Sequence, residues 1–435
     1  MSLRERLDQR AADGNPVRVG VVGTGQMGTG LVIQMENLNG FHVAGIADIN
    51  LDRARRAFTE GGVAPDELAV VEDLHQAAQA VDAGLRIITR DAALLASIPR
   101  AEVIVDATGV PEVGARVAVS AIRARKHVVM LNVEADITVG RALKRMADDA
   151  GVVYTASAGD EYAATKELVD FAQTLGFTVI AAGKGKNNIL DRSVTPRDQE
   201  ERAHRVGANP WMLSSFVDGT KTMVEMTCLA NSTGLVPDKR GMHGPNATLD
   251  QLPKVFCPSK DGGVLSRSGV VDYAIGVAPG VFVIIATDHP AIADNLRYLQ
   301  LGPGPYWSLF RPYHLANLET PMSVARAAIY HEATIVPRPA PVAETIAVAK
   351  RDLEPGETLD AIGGYHYFGL IDRAETVEAE GLLPIGLAEG ALLNSAVRRG
   401  DPIPRGAVTV NQGTTLAKLR SLQEAGASLE PALAL

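Results

Sequence analysis

Val17-Arg-Val-Gly-Val-Val-Gly23-Thr-Gly25-Gln-Met-Gly28 decides how the chain is read, because an apolar run leads directly into G-x-G-x-x-G and then into a helical pattern. In that order Gly23 permits a tight turn, Gly25 admits a pyrophosphate against the backbone, and Gly28 lets helix and strand pack closely. Thr24, Gln26 and Met27 complete the turn, where unpaired N–H groups and the positive end of the helix dipole favour an anion. Twenty residues after Gly28, Asp48 closes a second apolar run. A carboxylate there accepts from ribose hydroxyls and repels a 2′-phosphate, which favours NAD. Arg53, followed by Arg55 and Arg56, is within reach of a 2′-phosphate, so NADP stays open.

Outward from this turn, residues 17–22, 43–47, 103–107, 128–131 and 152–155 read as buried strands alternating with helical patterns. Such alternation predicts a parallel sheet. The expected fold is α/β, with a Rossmann domain over residues 1–155. Thr108 and Gly109, small residues after Asp106, would let a nicotinamide ribose cross the sheet edge. Residues 156–336 carry helical stretches near 163–175, 221–230, 290–299 and 322–331 between loops rich in Gly, Pro and Asn, and read as an α+β catalytic domain. Pro337, Pro339 and Pro341 form a stiff linker, and residues 337–435 read as a small all-β module.

The 435 residues exceed what one core ordinarily holds, in line with this division. Hydrophobic residues at 46% and charged ones at 21% describe a folded chain, and a net charge of −9 argues against an extended nucleic-acid surface. Cys228 and Cys257 are too few for a disulfide framework, so a reducing cytoplasm is expected. The first residues lack a signal-peptide pattern and the longest apolar run, Val281–Ala286, is too short to span a bilayer, so no membrane association is expected.

Asn132-Val-Glu134-Ala-Asp136 places two acids after a predicted strand, suited to a divalent cation such as Mg or Mn or to proton transfer. Asp160 and Glu161 make a second acidic pair, with Asp160 alternatively a helix cap. Lys184-Gly-Lys186-Asn187-Asn188 reads as a cationic loop for an anionic group. Lys221 and Glu225 share a helix face, as a site or a surface pair, and Arg240 and His243 lie in one loop. The expected roles are catalysis for Lys186, Lys221, Glu134 and His243, substrate binding for Lys184, Asn187, Asn188 and Arg240, and metal binding for Glu134, Asp136, Asp160 and Glu161. These groups are expected to gather about a bound nicotinamide.

Gly23-x-Gly25-x-x-Gly28, Ala47-Asp48 and Val105-Asp-Ala-Thr-Gly109 resemble the cofactor domain of homoserine dehydrogenases, with Val133 where those enzymes place a catalytic lysine. Over nearly its whole length the chain resembles homoserine dehydrogenase-like proteins with a C-terminal SAF domain, a group that includes deoxyxylulose-5-phosphate reductoisomerase-like enzymes. Asn132-Val-Glu-Ala-Asp136, Gly183-Lys-Gly-Lys-Asn-Asn188, Arg240-Gly-Met-His-Gly-Pro245, Tyr313-His314-Leu315 and Ala349-Lys-Arg-Asp-Leu-Glu-Pro-Gly-Glu357 carry that likeness. The resemblance implies an NAD(P)H-dependent oxidoreductase, a reductoisomerase of a small anionic hydroxy-carbonyl compound, with an SAF-like module over 337–435 and a homo-oligomeric state. The alternatives are a simple dehydrogenase of the homoserine dehydrogenase type, which needs no metal, and a non-catalytic nucleotide-sensing or carbohydrate-binding protein.

Overall fold

The computed structural model describes residues 1–426 and Leu429. It divides into two compact units. The first comprises Met1–Asp160, Leu315–Val336 and Gln412–Leu435, and the second Glu161–His314 and Pro337–Asn411. Both expected boundaries, 155/156 and 336/337, fall near crossings between units, but the chain crosses more often than three consecutive domains require. Among the described residues no helix is long and apolar enough to span a membrane.

The first unit is built on seven parallel strands: β1 Val17–Val22, β2 Phe41–Ala47, β3 Leu68–Val70, β4 Arg86–Thr89, β5 Val103–Asp106, β6 His127–Met130 and β7 Tyr154–Ala156. Their order is β3-β4-β2-β1-β5-β6-β7. The near-continuous Val and Ile of β1 and β5 are what a strand buried on both faces requires. Succession reverses between β1 and β5, opening the crevice where such sheets bind ligands at the carboxyl ends of their strands. The Asp106–Gly109 segment therefore follows the fifth strand. β3 is only partly buried and β4 offers just Ile87 and Ile88 as consecutive apolar residues, so neither stands out as an apolar run. Helix Ala316–Tyr330 contributes Val324 and Ala325 to the same core, and so lies outside the second domain expected from sequence.

The second unit holds β8 Thr178–Lys186, β9 Val236–Pro237, β10 Val270–Ile275, β11 Val281–Ala286 and β12 Tyr306–Arg311, ordered β12-β11-β8-β10-β9. β10 is parallel to β8 and β9, while β11 is antiparallel to β8 and β12. Phe256 and Phe282 stack at 5.0 Å in its core. β8 runs through Lys186, so the cationic loop expected at 182–188 is a buried central strand as far as Lys186, with only Asn187 and Asn188 beyond it.

Residues 337–411 add two antiparallel pairs, β13 Ala343–Ala349 with β14 Tyr367–Arg373 and β15 Leu392–Leu393 with β16 Val408–Thr409, plus the short helix Ala374–Ala379. They pack on helix Thr220–Thr233. Gly369 N donates to Thr220 Oγ1 at 2.8 Å, Asn231 bonds both backbone groups of Ala343, and buried Lys350 pairs with Asp218 at 2.8 Å. The last helix, Thr415–Glu424, belongs to the first unit, where Glu112 accepts the N–H groups of Thr415 and Leu416.

Candidate active site

The dinucleotide turn is set by backbone geometry. Gly23 takes φ +90, a left-handed value that favours glycine, and its N–H bonds Ala47 O at 2.8 Å. A Cβ on Gly28 would fall 1.9 Å from Gly23 O, so only glycine lets the helix Gln26–Glu36 close on the turn. Gly25, the N-cap, has nothing within 4 Å of an added Cβ and leaves an open approach to the first helical N–H groups at Gln26 and Met27, both exposed. Asp48 Oδ2 accepts from Thr24 N at 2.6 Å and Thr24 Oγ1 at 2.7 Å, and its Oδ1 accepts from Asn50 N at 2.7 Å. Those bonds fix the carboxylate while four lone-pair positions leave capacity for a further donor. Arg53 is exposed on helix Leu51–Glu60.

Beneath Thr108 and Gly109 lies a polar knot that sequence reasoning missed. Asn132 Nδ2 donates to Asp106 Oδ2 at 3.0 Å, Val110 O at 2.8 Å and Thr108 Oγ1 at 3.3 Å. Full burial pushes the Asp106 carboxyl up to about 6, against hydrogen bonds from Thr108 and Asn132. Its position at the end of β5 was the available signal.

Glu134 and Asp136 do not form the expected metal pair. Asn132 caps helix Val133–Ala150, and its side chain accepts Ala135 N–H at 3.1 Å, which places both acids in the first turn. Residues i and i+2 on a helix point about 200° apart, unlike on a strand, so they cannot converge on one ion. Asp136 is buried and accepts from Tyr154 Oη at 2.8 Å. Among the described residues neither joins a group of three metal-ligating side chains. Their place in the first turn suits the helix dipole.

In the second unit, Lys184 and Lys186 occupy alternate positions of β8 and project to one face. Lys184 Nζ donates to Glu161 Oε1 at 2.5 Å and to Glu225. Burial favours the neutral amine, but the two carboxylates outweigh it and hold Lys184 above the usual lysine range. It is thus a fixed internal charge and not the free phosphate ligand expected from sequence. Burial, then the Glu161 charge, raises Glu225 to about 7 against the pull of Lys184 and Lys221. Glu225 is buried and feels the charge of Lys221 one turn earlier, so the two are not a simple surface pair. His314 Nε2 lies 3.4 Å from Glu161 Oε1, extending the polar line; no spacing in the sequence connects residues 161, 184, 225 and 314.

Lys186 differs from its neighbour in having, among the described residues, no carboxylate partner in hydrogen-bond contact. Its Nζ donates to Phe216 O at 2.5 Å, and burial followed by the Lys184 charge depresses its pKa to about 8. An amine titrating there exchanges protons near neutral pH. His243 is held at both ring nitrogens, by Asp272 Oδ2 at 2.7 Å on Nδ1 and Asp238 Oδ2 at 3.5 Å on Nε2, so the lone histidine of the sequence is an Asp–His–Asp arrangement. Asn187 and Asn188 follow β8, where Asn188 Nδ2 donates to Asn187 Oδ1 at 2.9 Å. Arg240 is engaged elsewhere, with Asp372 at 2.6 Å and Glu380 at 2.7 Å, which corrects its expected substrate role.

The first unit has a dinucleotide-type α/β arrangement, and the second buries lysines and acids together. Residues 159–320 match the family described as "Oxidoreductase DRL, catalytic domain". The chain is an enzyme of the oxidoreductase class. No curated protein matches it. Similar solved structures include a "probable dehydrogenase" from Thermotoga maritima, at 13% identity over 73% of this chain and 90% of that one, TM-score 0.42. Others are scyllo-inositol dehydrogenase from Lactobacillus casei, with bound NAD(H) and scyllo-inositol, at 13% over 62% and 73%, TM-score 0.37, and a 3-ketoreductase from Actinomadura kijaniata with NADP, at 14% over 73% and 90%, TM-score 0.36. The matched family region covers no part of the expected SAF-like module.

Proposed function

We propose that the protein is an NAD(P)H-dependent oxidoreductase of a small anionic hydroxy-carbonyl compound, with the reductoisomerase reaction as its finer form. The observation that carries the reading is the fit of the glycine turn to a dinucleotide: Gly28 closes the helix onto Gly23, while Gly25 leaves open the approach to the helix N-terminus. Gly23, Gly25, Gly28 and Asp48 would hold the dinucleotide, and a bound nicotinamide supplies or accepts hydride. The chain's own part is proton control. Lys186 Nζ, titrating near 8, gives a proton to the carbonyl oxygen during reduction and takes one back in the reverse direction. Lys184, clamped by Glu161 and Glu225, keeps a positive charge beside it on β8 and so keeps Lys186 easily deprotonated.

Glu134 and Asp136 diverge on their helix and so do not complete the four-acid metal set expected from sequence; no step is routed through a metal. The test is a panel of NADPH and NADH oxidation with deoxyxylulose 5-phosphate, aspartate semialdehyde and unphosphorylated keto-acids, with and without EDTA. Turnover of deoxyxylulose 5-phosphate supports the reductoisomerase form, and turnover of the semialdehyde alone replaces it with the simple dehydrogenase. Cofactor binding without oxidation by any member removes the catalytic reading.

A further inference from the structure

Arg192 is an anomaly in the second unit. Its guanidinium makes no hydrogen bond or ion pair with any described residue, and its Nη1 is fully enclosed without a partner. Cζ lies 4.8 Å over the Phe368 ring, and a Cβ on Gly241 would come within 3.8 Å of Nη2. Asp218, whose charge acts on Arg192, makes no hydrogen bond or ion pair with it: Oδ1 accepts Thr220 N–H at 2.8 Å, and Oδ2, 2.8 Å from Lys350 Nζ, takes no hydrogen bond from a described residue. Taking a guanidinium out of water without a contacting anion is costly, and proteins accept it where a ligand completes the pair.

Lys186 and Tyr273 stand on one face of the sheet: Tyr273 is paired with Lys184 in the β8–β10 register and so projects to the side that Lys184 and Lys186 share. The charge of Arg192 acts on both, and the Tyr273 hydroxyl bonds no described residue. Gly244, at φ +59, makes room for Tyr273: a Cβ there would fall 2.2 Å from its hydroxyl oxygen. Asp272, the acid beside Tyr273, is satisfied by His243 and by the N–H groups of residues 243, 244 and 273.

We propose that Arg192, with the Tyr273 hydroxyl, forms an oxyanion-binding subsite beside Lys186 that holds the phosphate or carboxylate of the substrate. The planar fork of arginine matches the oxygens of either group, and the phenol supplies one more donor. The subsite takes over the role assigned from sequence to Lys184 and Arg240, both of which are already paired with carboxylates. It deepens the proposed function and rests on its placing of the substrate in the second unit, but it is tested by binding alone, so its failure is separable from failure of hydride transfer.

The experiment is calorimetric titration of the full chain, without cofactor, with inorganic phosphate and separately with acetate. The wild-type protein should bind at least one saturably, and Arg192→Gln should weaken that binding about 10- to 100-fold with circular dichroism unchanged. Tyr273→Phe should weaken it severalfold. Tighter phosphate assigns a phosphate ester, and tighter acetate a carboxylate. Equal binding by wild type and Arg192→Gln, or none by wild type, overturns the proposal. Should Arg192→Gln not fold, phenylglyoxal labelling of the wild-type chain decides: the better-binding anion should slow modification of Arg192, and an unchanged rate overturns the subsite.

Discussion

The dinucleotide turn and the lysine strand solve the problem of building a site in opposite ways. In the first unit the site is backbone: glycines at 23, 25 and 28 work by what they lack, and every part lies within a few residues of the next. In the second it is side chain: Glu161, Lys184 and Glu225 come from a helix, a strand and another helix, and charge, not shape, decides what each does. A backbone site is therefore sensitive to volume and a charged site to charge, and substitutions should separate the two.

The largest effect is expected at Gly28. Gly28→Val places a side chain where even a Cβ meets Gly23 O at 1.9 Å, and should abolish binding of reduced cofactor, seen as loss of its fluorescence enhancement. Gly25→Ala, with open space around it, should leave the melting temperature unchanged while weakening binding, which would tie Gly25 to the ligand and Gly28 to the fold. Next comes Lys184→Ala, which leaves Glu161 and Glu225 buried without their cation and should cost about 3–5 kcal/mol in denaturant unfolding. Lys184→Met, of similar volume, should restore little of that if charge is what matters.

Lys186 gives a smaller effect with a definite sign. Its folded pKa near 8 lies below the lysine value of 10.5, so between those values the unfolded chain binds the extra proton. Stability contributed by this group should rise with pH from about 8 to 10.5, and Lys186→Met should flatten that part of the profile. The smallest effect is expected at Arg240. Arg240→Ala removes partly exposed ion pairs to Asp372 and Glu380, should cost about 1 kcal/mol or less, and should leave KM unchanged.

The same contrast explains what the sequence disclosed. The turn at Gly23–Gly28, Asp48 and five of the seven parallel strands were legible because strand, turn and helix follow one another locally. Glu134 and Asp136 were misread because a spacing of two means one face on a strand and opposed faces on a helix, and the cap at Asn132 decides which applies. Lys184 and Lys186 were assigned to a loop because Ala182-Gly-Lys-Gly-Lys186 lacks the β-branched residues of a typical strand; its place in the middle of the sheet sustains it. His314, Asp272 and Arg192 acquire meaning only from partners, or the lack of them, distant in sequence.

The central claim is that a dinucleotide-dependent reaction uses Lys186 for its proton. The direct measurement is oxidation of NADPH and NADH by the wild-type chain and by Lys186→Met, across the hydroxy-carbonyl panel, with cofactor affinity measured alongside. The account predicts turnover by the wild type and a loss of about 10²- to 10⁴-fold in kcat for the variant, with cofactor affinity unchanged. Undiminished turnover by Lys186→Met, or a wild-type chain that binds cofactor and oxidises it with no member of the panel, would contradict it.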